Sequence, residues 1–207
     1  MSTAVKICGI TRTEDAMLAA RSGANAIGLV FYRPSPRYIA PDLAAEIIRV
    51  LPPFVTAVGL FVDATADEVR AAVKRAPVGL LQFHGSETAD FCGQFGLPYM
   101  KAVRVRPGVD LIQYASGYRD AKALLLDAYV DGVHGGSGVT FDWSLIPHTP
   151  PLPVVLSGGL TAENVTEAIR KVRPWAVDVS SGVEKARGIK DAAKIAAFIS
   201  GVRNANV

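Results

Sequence analysis

Eight short apolar runs punctuate this chain from end to end, each followed by a helical pattern or by a turn-rich loop. AVKIC starts at Ala4, AIGLVF at Ala26, TAVGLFV at Thr56 and GLLQFH at Gly79; PYMKAV follows at Pro98, ALLLD at Ala123, PVVLSG at Pro153 and AVDVSS at Ala176. Successive starts lie roughly 20–30 residues apart, the length of a repeated βα unit. The runs are mostly continuous rather than alternating, as strands covered on both faces of a parallel sheet must be.

The segments between them read as amphipathic helices. TEDAMLAARSG opens on Thr-Glu-Asp and stops at Gly23, and APDLAAEIIRVL places Pro41 in a first turn. TADEVRAAVKRA, SETADFCGQF and TAENVTEAIRKV each begin with Ser or Thr and carry early acid. Such residues satisfy free N–H groups and the positive end of a helix. IKDAAKIAAFISGVR closes the set. After the sixth run, YVDGVHGGSGVTFDW is too long and too Gly-rich for a plain helix, and long loops in compact α/β proteins are usually functional.

Eight such units in 207 residues predict the α/β class and one domain over 1–207, a closed (β/α)8 TIM barrel near the lower size limit. A doubly wound open sheet is the alternative. Half the residues are hydrophobic, enough for a sizeable core. No apolar run approaches the roughly 20 residues of a membrane span, and MSTAVKICGI lacks the parts of a secretory signal. The expected location is the cytoplasm, with no membrane partner. A net charge of +3 with scattered Lys and Arg suits an anionic small molecule better than nucleic acid, which wants a clustered basic face. Cys8 and Cys92 have no metal-ligand spacing, so no metal is expected. Cys92 sits in a helical pattern and reads as packing. A monomer is preferred over a homodimer for a barrel of this size.

In this architecture the strand C-termini and the loops after them form the active face, which selects candidates. Cys8 ends strand one, Arg37 lies in the RPSPRY loop after strand two, and His84 follows strand four. Asp127 ends strand six, Ser157-Gly158-Gly159 follow strand seven, and Ser180-Ser181-Gly182 follow strand eight. The last two groups are small-residue turns, the first leading into a helix and the second into a short extra one. Glycine lets backbone N–H groups approach an anion, and a helix N-terminus adds positive potential. Paired turns at these two strands favour phosphate binding over ordinary tight turns.

Arg37 offers a guanidinium that clamps carboxylates with two parallel bonds, against the plain alternative of a solvated loop arginine. Asp127 either caps the following loop or acts as an acid, because an apolar strand end holds a carboxyl protonated. Cys8 is either packing or a base, its thiolate favoured by positive surroundings. His84 is an acid or base, a ligand-orienting group or rim packing, since histidine titrates near neutrality. Asp178 alternates with apolar neighbours and either hydrogen-bonds a sugar or holds the upper barrel layer. His134 and His148 read as surface residues.

VKICGITRTEDA, GLVFYRPSPRYI, LLQFHGSE, LLLDA, GGSGVTFDW, LSGGLTAENV and VDVSSGVE resemble, in order, the blocks of the phosphoribosylanthranilate isomerase family, from Val5 to at least Glu184. The resemblance implies a (β/α)8-barrel enzyme of tryptophan biosynthesis. Its reaction converts N-(5-phosphoribosyl)anthranilate to 1-(2-carboxyphenylamino)-1-deoxyribulose 5-phosphate by an Amadori rearrangement, without metal or organic cofactor. It also implies that Cys8 is the general base, Asp127 the general acid and Arg37 the holder of the anthranilate carboxylate. Gly158, Gly159, Ser180 and Ser181 then surround the phosphate, while Gly136, His84 and Asp178 contribute to substrate binding. Ser137 stands where threonine is more usual in the GGTG block and retains the hydroxyl. A related aminoaldose isomerase of histidine synthesis is the first alternative, but its paired aspartates at strands one and five have no counterpart in KIC and YMKAVRV. A catalytically silent phosphosugar-binding protein is the second, disfavoured because binding alone needs neither Cys8 nor Asp127.

Overall fold

The computed structural model describes residues 2–128 and 142–205. All eight apolar runs form strands: β1 (Ala4–Cys8), β2 (Ala26–Val30), β3 (Thr56–Phe61), β4 (Leu80–Phe83), β5 (Tyr99–Val105), β6 (Ala123–Ala128), β7 (Val154–Leu156) and β8 (Ala176–Val179). They close into a parallel barrel in sequence order, β8 pairing with β1 through Lys6↔Asp178 and β1 with β2 through Cys8↔Gly28. The open-sheet alternative is thereby excluded. Around the barrel run α1 (Thr13–Ser22), α2 (Pro41–Val50), α3 (Ala66–Arg75), α4 (Ala89–Gly93), α5 (Leu111–Ser116), α6 (Val165–Val172) and α7 (Ala192–Ala205). Among the described residues no helix is long and apolar enough to cross a membrane.

Successive strand residues point to opposite faces, so each strand feeds two cores. Ile7, Ile27, Leu29, Phe61 and Phe83 belong to the large outer cluster, with Ile195 and Phe198 of α7. Inside the barrel, Val58, Met100, Leu125 and Val155 form an apolar plug toward the strand N-termini. Cys8, Val30, Leu60 and Val62 cluster at the opposite end. Apolar side chains thus fill the floor, and the candidate residues at the strand C-termini sit at the mouth.

Four helix expectations need correction, one being IKDAAKIAAFISGVR, which becomes α7 only from Ala192 because Ile189 and Lys190 lie in a strand. α4 begins at Ala89 with Thr88 as its cap, because the Ser86 N–H and hydroxyl donate to Asp63 and Glu87 accepts from the Asp63 and Gly85 N–H groups. That SETADFCGQF segment therefore spends its first residues stitching loops together. α6 begins at Val165, three residues later than a cap at Thr161 would place it, because Asn164 accepts from Thr161 N–H and donates to the Gly159 carbonyl. The SGG turn accordingly leads into a braced turn first and a helix second. α5 has no counterpart among the helical patterns read from the sequence; Asp110 caps it by accepting from the N–H groups of Ile112 and Gln113. α3 conforms fully, with a reciprocal Thr65–Glu68 capping box. After β8 a 3-10 turn (Ser181–Val183) leads to an unanticipated hairpin of β9 (Glu184–Ala186) and β10 (Ile189–Lys190).

Candidate active site

Seven of the residues singled out in the sequence line one pocket of about 70 Å³ at the barrel mouth: Cys8, Arg37, His84, Asp127, Ser157, Asp178 and Ser180. β1 carries the sulfur and β6 the carboxyl, three strands apart around the ring by way of β8 and β7. Cys8 and Asp127 therefore stand on different sides of a shared space.

Asp127 is 4 % exposed and both of its oxygens are engaged. Oδ1 accepts from Ala128 N–H at 2.9 Å, and Oδ2 lies 3.2 Å from His84 Nε2. Gln82, two residues earlier on β4 and facing the same way, places Nε2 3.1 Å from His84 Nδ1. His84 thus bridges Gln82 and Asp127, with donor and acceptor roles that follow its ring tautomer. Of the two alternatives for Asp127, the backbone bond at its strand end is present, and the other oxygen meets His84 at the pocket.

Cys8 is buried beside cations. Burial pushes its thiol up, the Lys6 and Lys190 ammonium groups pull it down and Asp178 opposes them, with burial prevailing. The expectation of a thiol eased into ionisation is corrected accordingly: the positive surroundings exist, but desolvation outweighs them.

The Arg37 clamp is formed, though with a partner inside the protein. Its Nε and Nη2 donate to Glu184 Oε1 and Oε2 at 2.8 and 2.7 Å, and Lys190 Nζ reaches Glu184 Oε1 at 2.9 Å. The fork uses Nε and Nη2 and leaves Nη1 outside it. Hydrogen bonding to Glu184 is the chief cause that raises the Arg37 pKa, and Arg37 and Lys190 together hold Glu184 below the usual carboxylate value against the effect of burial. Glu184 and Lys190 are functional-looking residues that sequence reasoning missed. VSSGVEKARG contains the glutamate, but no periodicity signals that a hairpin folds it back onto Arg37.

The two small-residue turns meet at the rim. Gly158 and Gly159 both have positive φ, 83° and 62°. A Cβ on Gly158 would lie 2.5 Å from Ala128 N and 3.0 Å from Asp127 Oδ1, and one on Gly182 would strike the Leu160 carbonyl. Ser180 Oγ is buried without a hydrogen-bond partner among the described residues, while its carbonyl accepts from Lys190 Nζ. A buried hydroxyl without a partner is uncommon in folded proteins, and this one lines the pocket. Ser181 opens the 3-10 turn beside it. Gly136, Ser137 and His134 lie outside the described residues. Cys92 is fully buried on α4. Asp178 pairs with Lys6 inside the barrel, Oδ1 to Nζ at 2.8 Å.

Comparison with known proteins matches this arrangement to one family. The model of N-(5'-phosphoribosyl)anthranilate (PRA) isomerase matches residues 5–201. The N-(5'-phosphoribosyl)anthranilate isomerase of Nitrosospira multiformis is 61 % identical over 202 residues, covering 98 % of this chain and 97 % of that protein. The crystal structure of phosphoribosyl anthranilate isomerase from Thermotoga maritima superposes with a TM-score of 0.90 at 42 % identity, covering 98 % of this chain and 99 % of that one. A further solved isomerase of this name, in complex with reduced 1-(o-carboxyphenylamino)-1-deoxyribulose 5-phosphate, gives 0.87 at 42 % identity with the same coverage. The chain belongs to the N-(5'-phosphoribosyl)anthranilate isomerase family.

Proposed function

We propose that this protein isomerises N-(5'-phosphoribosyl)anthranilate to 1-(2-carboxyphenylamino)-1-deoxyribulose 5-phosphate in tryptophan biosynthesis, with Cys8 as general base and Asp127 as general acid. The observation that carries the reading is the single pocket holding a sulfur on β1 and a carboxyl on β6, with Arg37 and Ser180 between them on the rim. The pocket is smaller than such a substrate, so the sugar would occupy it while the aromatic ring and phosphate extend over the rim.

Asp127 gives a proton to the furanose ring oxygen, the C1–O bond breaks, and the nitrogen lone pair forms an iminium at C1. The iminium makes the C2 proton acidic. Cys8, as thiolate, removes that proton, and the resulting enolamine tautomerises to the ketone. The cationic iminium arises beside the sulfur at the stage when the thiolate is needed, which counters the burial that otherwise keeps Cys8 protonated. Acid and base steps of this kind each contribute about 10²–10⁴-fold. Arg37, fixed by Glu184, would meet the anthranilate carboxylate with its remaining Nη1 side. Gly158, Gly159, Ser180 and Ser181 would receive the phosphate, and Asp178 a sugar hydroxyl. A thiol that must stay reduced to act suits the cytoplasm.

The test is turnover by the purified protein. Disappearance of N-(5'-phosphoribosyl)anthranilate with appearance of the ribulose product is expected. No conversion of it, or conversion only of the histidine-pathway aminoaldose, would reject the assignment.

A further inference from the structure

Lys6 has a position that the chemistry above does not use. In AVKIC, residues 6 and 8 share a strand face, so Lys6 points into the barrel directly beneath Cys8, while Val5 and Ile7 pack outward. Lys6 is only 4 % exposed. A buried ammonium is costly unless paired, and here Asp178 of β8, its register partner, holds it at 2.8 Å. Such a pair is weak evidence for stability, because apolar residues of similar volume often serve a core as well. Its value must be sought in what lies beside it.

The register supplies the answer. Opposite Cys8 on β2 stands Gly28. A Cβ at that glycine would lie 2.6 Å from Cys8 Sγ and 3.1 Å from Lys6 Nζ. The missing side chain is the space in which sulfur and ammonium converge.

We propose that Lys6 is a positioning residue for Cys8: moored by Asp178 and given room by Gly28, its ammonium sets a compensating charge against the sulfur so that the thiol ionises inside a buried pocket. The proposal rests on the reading of Cys8 as the base. Other charged groups bear on the same sulfur. Lys190 of β10 acts in the same direction and Asp178 in the opposite one, while the Arg37 guanidinium reaches over from the loop after β2. His84, just after β4, and Asp127 of β6 line the same pocket as Cys8. Lys6 is distinct in sharing the strand face of Cys8 and in bonding, among the described residues, to no carbonyl and to no carboxylate but that of Asp178. An opposite charge within about 4–6 Å favours the ionised form by one to three pKa units.

The experiment follows carboxamidomethylation of Cys8 against pH, read by peptide mass spectrometry, alongside kcat, with circular dichroism confirming the fold. Lys6→Met should slow Cys8 labelling about tenfold at fixed pH below the midpoint and raise the midpoint, and kcat should fall with it. Lys6→Met/Asp178→Asn, which leaves no unpaired buried charge, should also raise the midpoint, by less. Asp178→Asn alone should lower it. If Lys6→Met fails to fold, the other two variants decide, because their shifts are predicted with opposite signs. Reduced thermal stability with an unmoved Cys8 midpoint would overturn the proposal and leave Lys6 a purely structural residue. Shifted midpoints with an unaltered kcat would uphold the coupling and remove Cys8 from the reaction.

Discussion

His84 Nε2 lies 3.2 Å from Asp127 Oδ2 while Ala128 N–H holds Asp127 Oδ1 at 2.9 Å. The carboxyl plane is therefore fixed from two sides, by its own strand end and by a side chain two strands away. If Asp127 is the acid, Asp127→Asn should lower kcat by about 10²–10⁴-fold with binding of the reduced product analogue retained. His84→Leu frees one oxygen without removing the carboxyl, so its loss in kcat should be smaller, about tenfold. Unchanged steady-state rates in His84→Leu would assign the imidazole to packing.

The Arg37–Glu184 fork sets the direction of the guanidinium. Lysine keeps a charge but cannot make two parallel bonds. Arg37→Lys should therefore raise KM by about tenfold or more, with a lesser effect on kcat. Glu184→Gln keeps much of the shape and loses the charge, so it should raise KM by less. Initial-rate kinetics on both variants check this, and an unaltered KM in Arg37→Lys would place the side chain outside substrate binding.

The same network links stability to acid. Glu184 is held below its ordinary carboxylate value in the folded protein, so the unfolded chain takes up its proton first as pH falls. The stabilisation is fully present above the unfolded value, about 4.3, and is lost as pH drops through the lower folded value. Chemical denaturation between neutrality and pH 3 should show wild type losing more stability over that window than Glu184→Gln. Parallel curves for the two proteins would contradict the linkage.

Gly158 couples the anion-type turn to the proposed acid. Its φ of 83° disfavours any side chain, and an added methyl would press on Ala128 N and Asp127 Oδ1. Gly158→Ala should cost about 1–3 kcal/mol in a urea melt and also lower kcat, because the strand end carrying Asp127 must yield. Lost stability with a normal kcat would show that the turn moves and the carboxyl does not.

The barrel was legible in the sequence because its signal is repeated eight times. Continuous apolar runs at the spacing of βα units leave few architectures, and strand ends then select Cys8, Asp127 and Ser180 by position alone. Contacts between residues distant in sequence were not legible. Glu184 reaches Arg37 across 147 positions and Lys6 reaches Asp178 across 172; no local pattern encodes either pair. The late start of α6 has a similar cause. Thr161 reads as a cap by composition, yet Asn164 bonds back to the turn and takes that place. Local hydrogen bonding by Asn competes with helix extension, and a propensity reading cannot tell which group wins.

The two thiols should be distinguishable by chemistry. Cys92 has no exposure, and its thiol is pushed up to about 12, chiefly by burial. At pH 8 almost none of it is thiolate, and the thiolate is the species that alkylates. Cys8 opens onto the pocket and has two ammonium groups acting on it, so the native protein should label there first. Iodoacetamide at pH 8 should modify Cys8 slowly and leave Cys92 untouched until denaturant is added, when both react at similar rates. The reduced product analogue should protect Cys8 and leave Cys92 unaffected. Labelling of Cys92 in the native state at a rate comparable to Cys8 would mean that α4 opens readily, and its assignment to packing would fall.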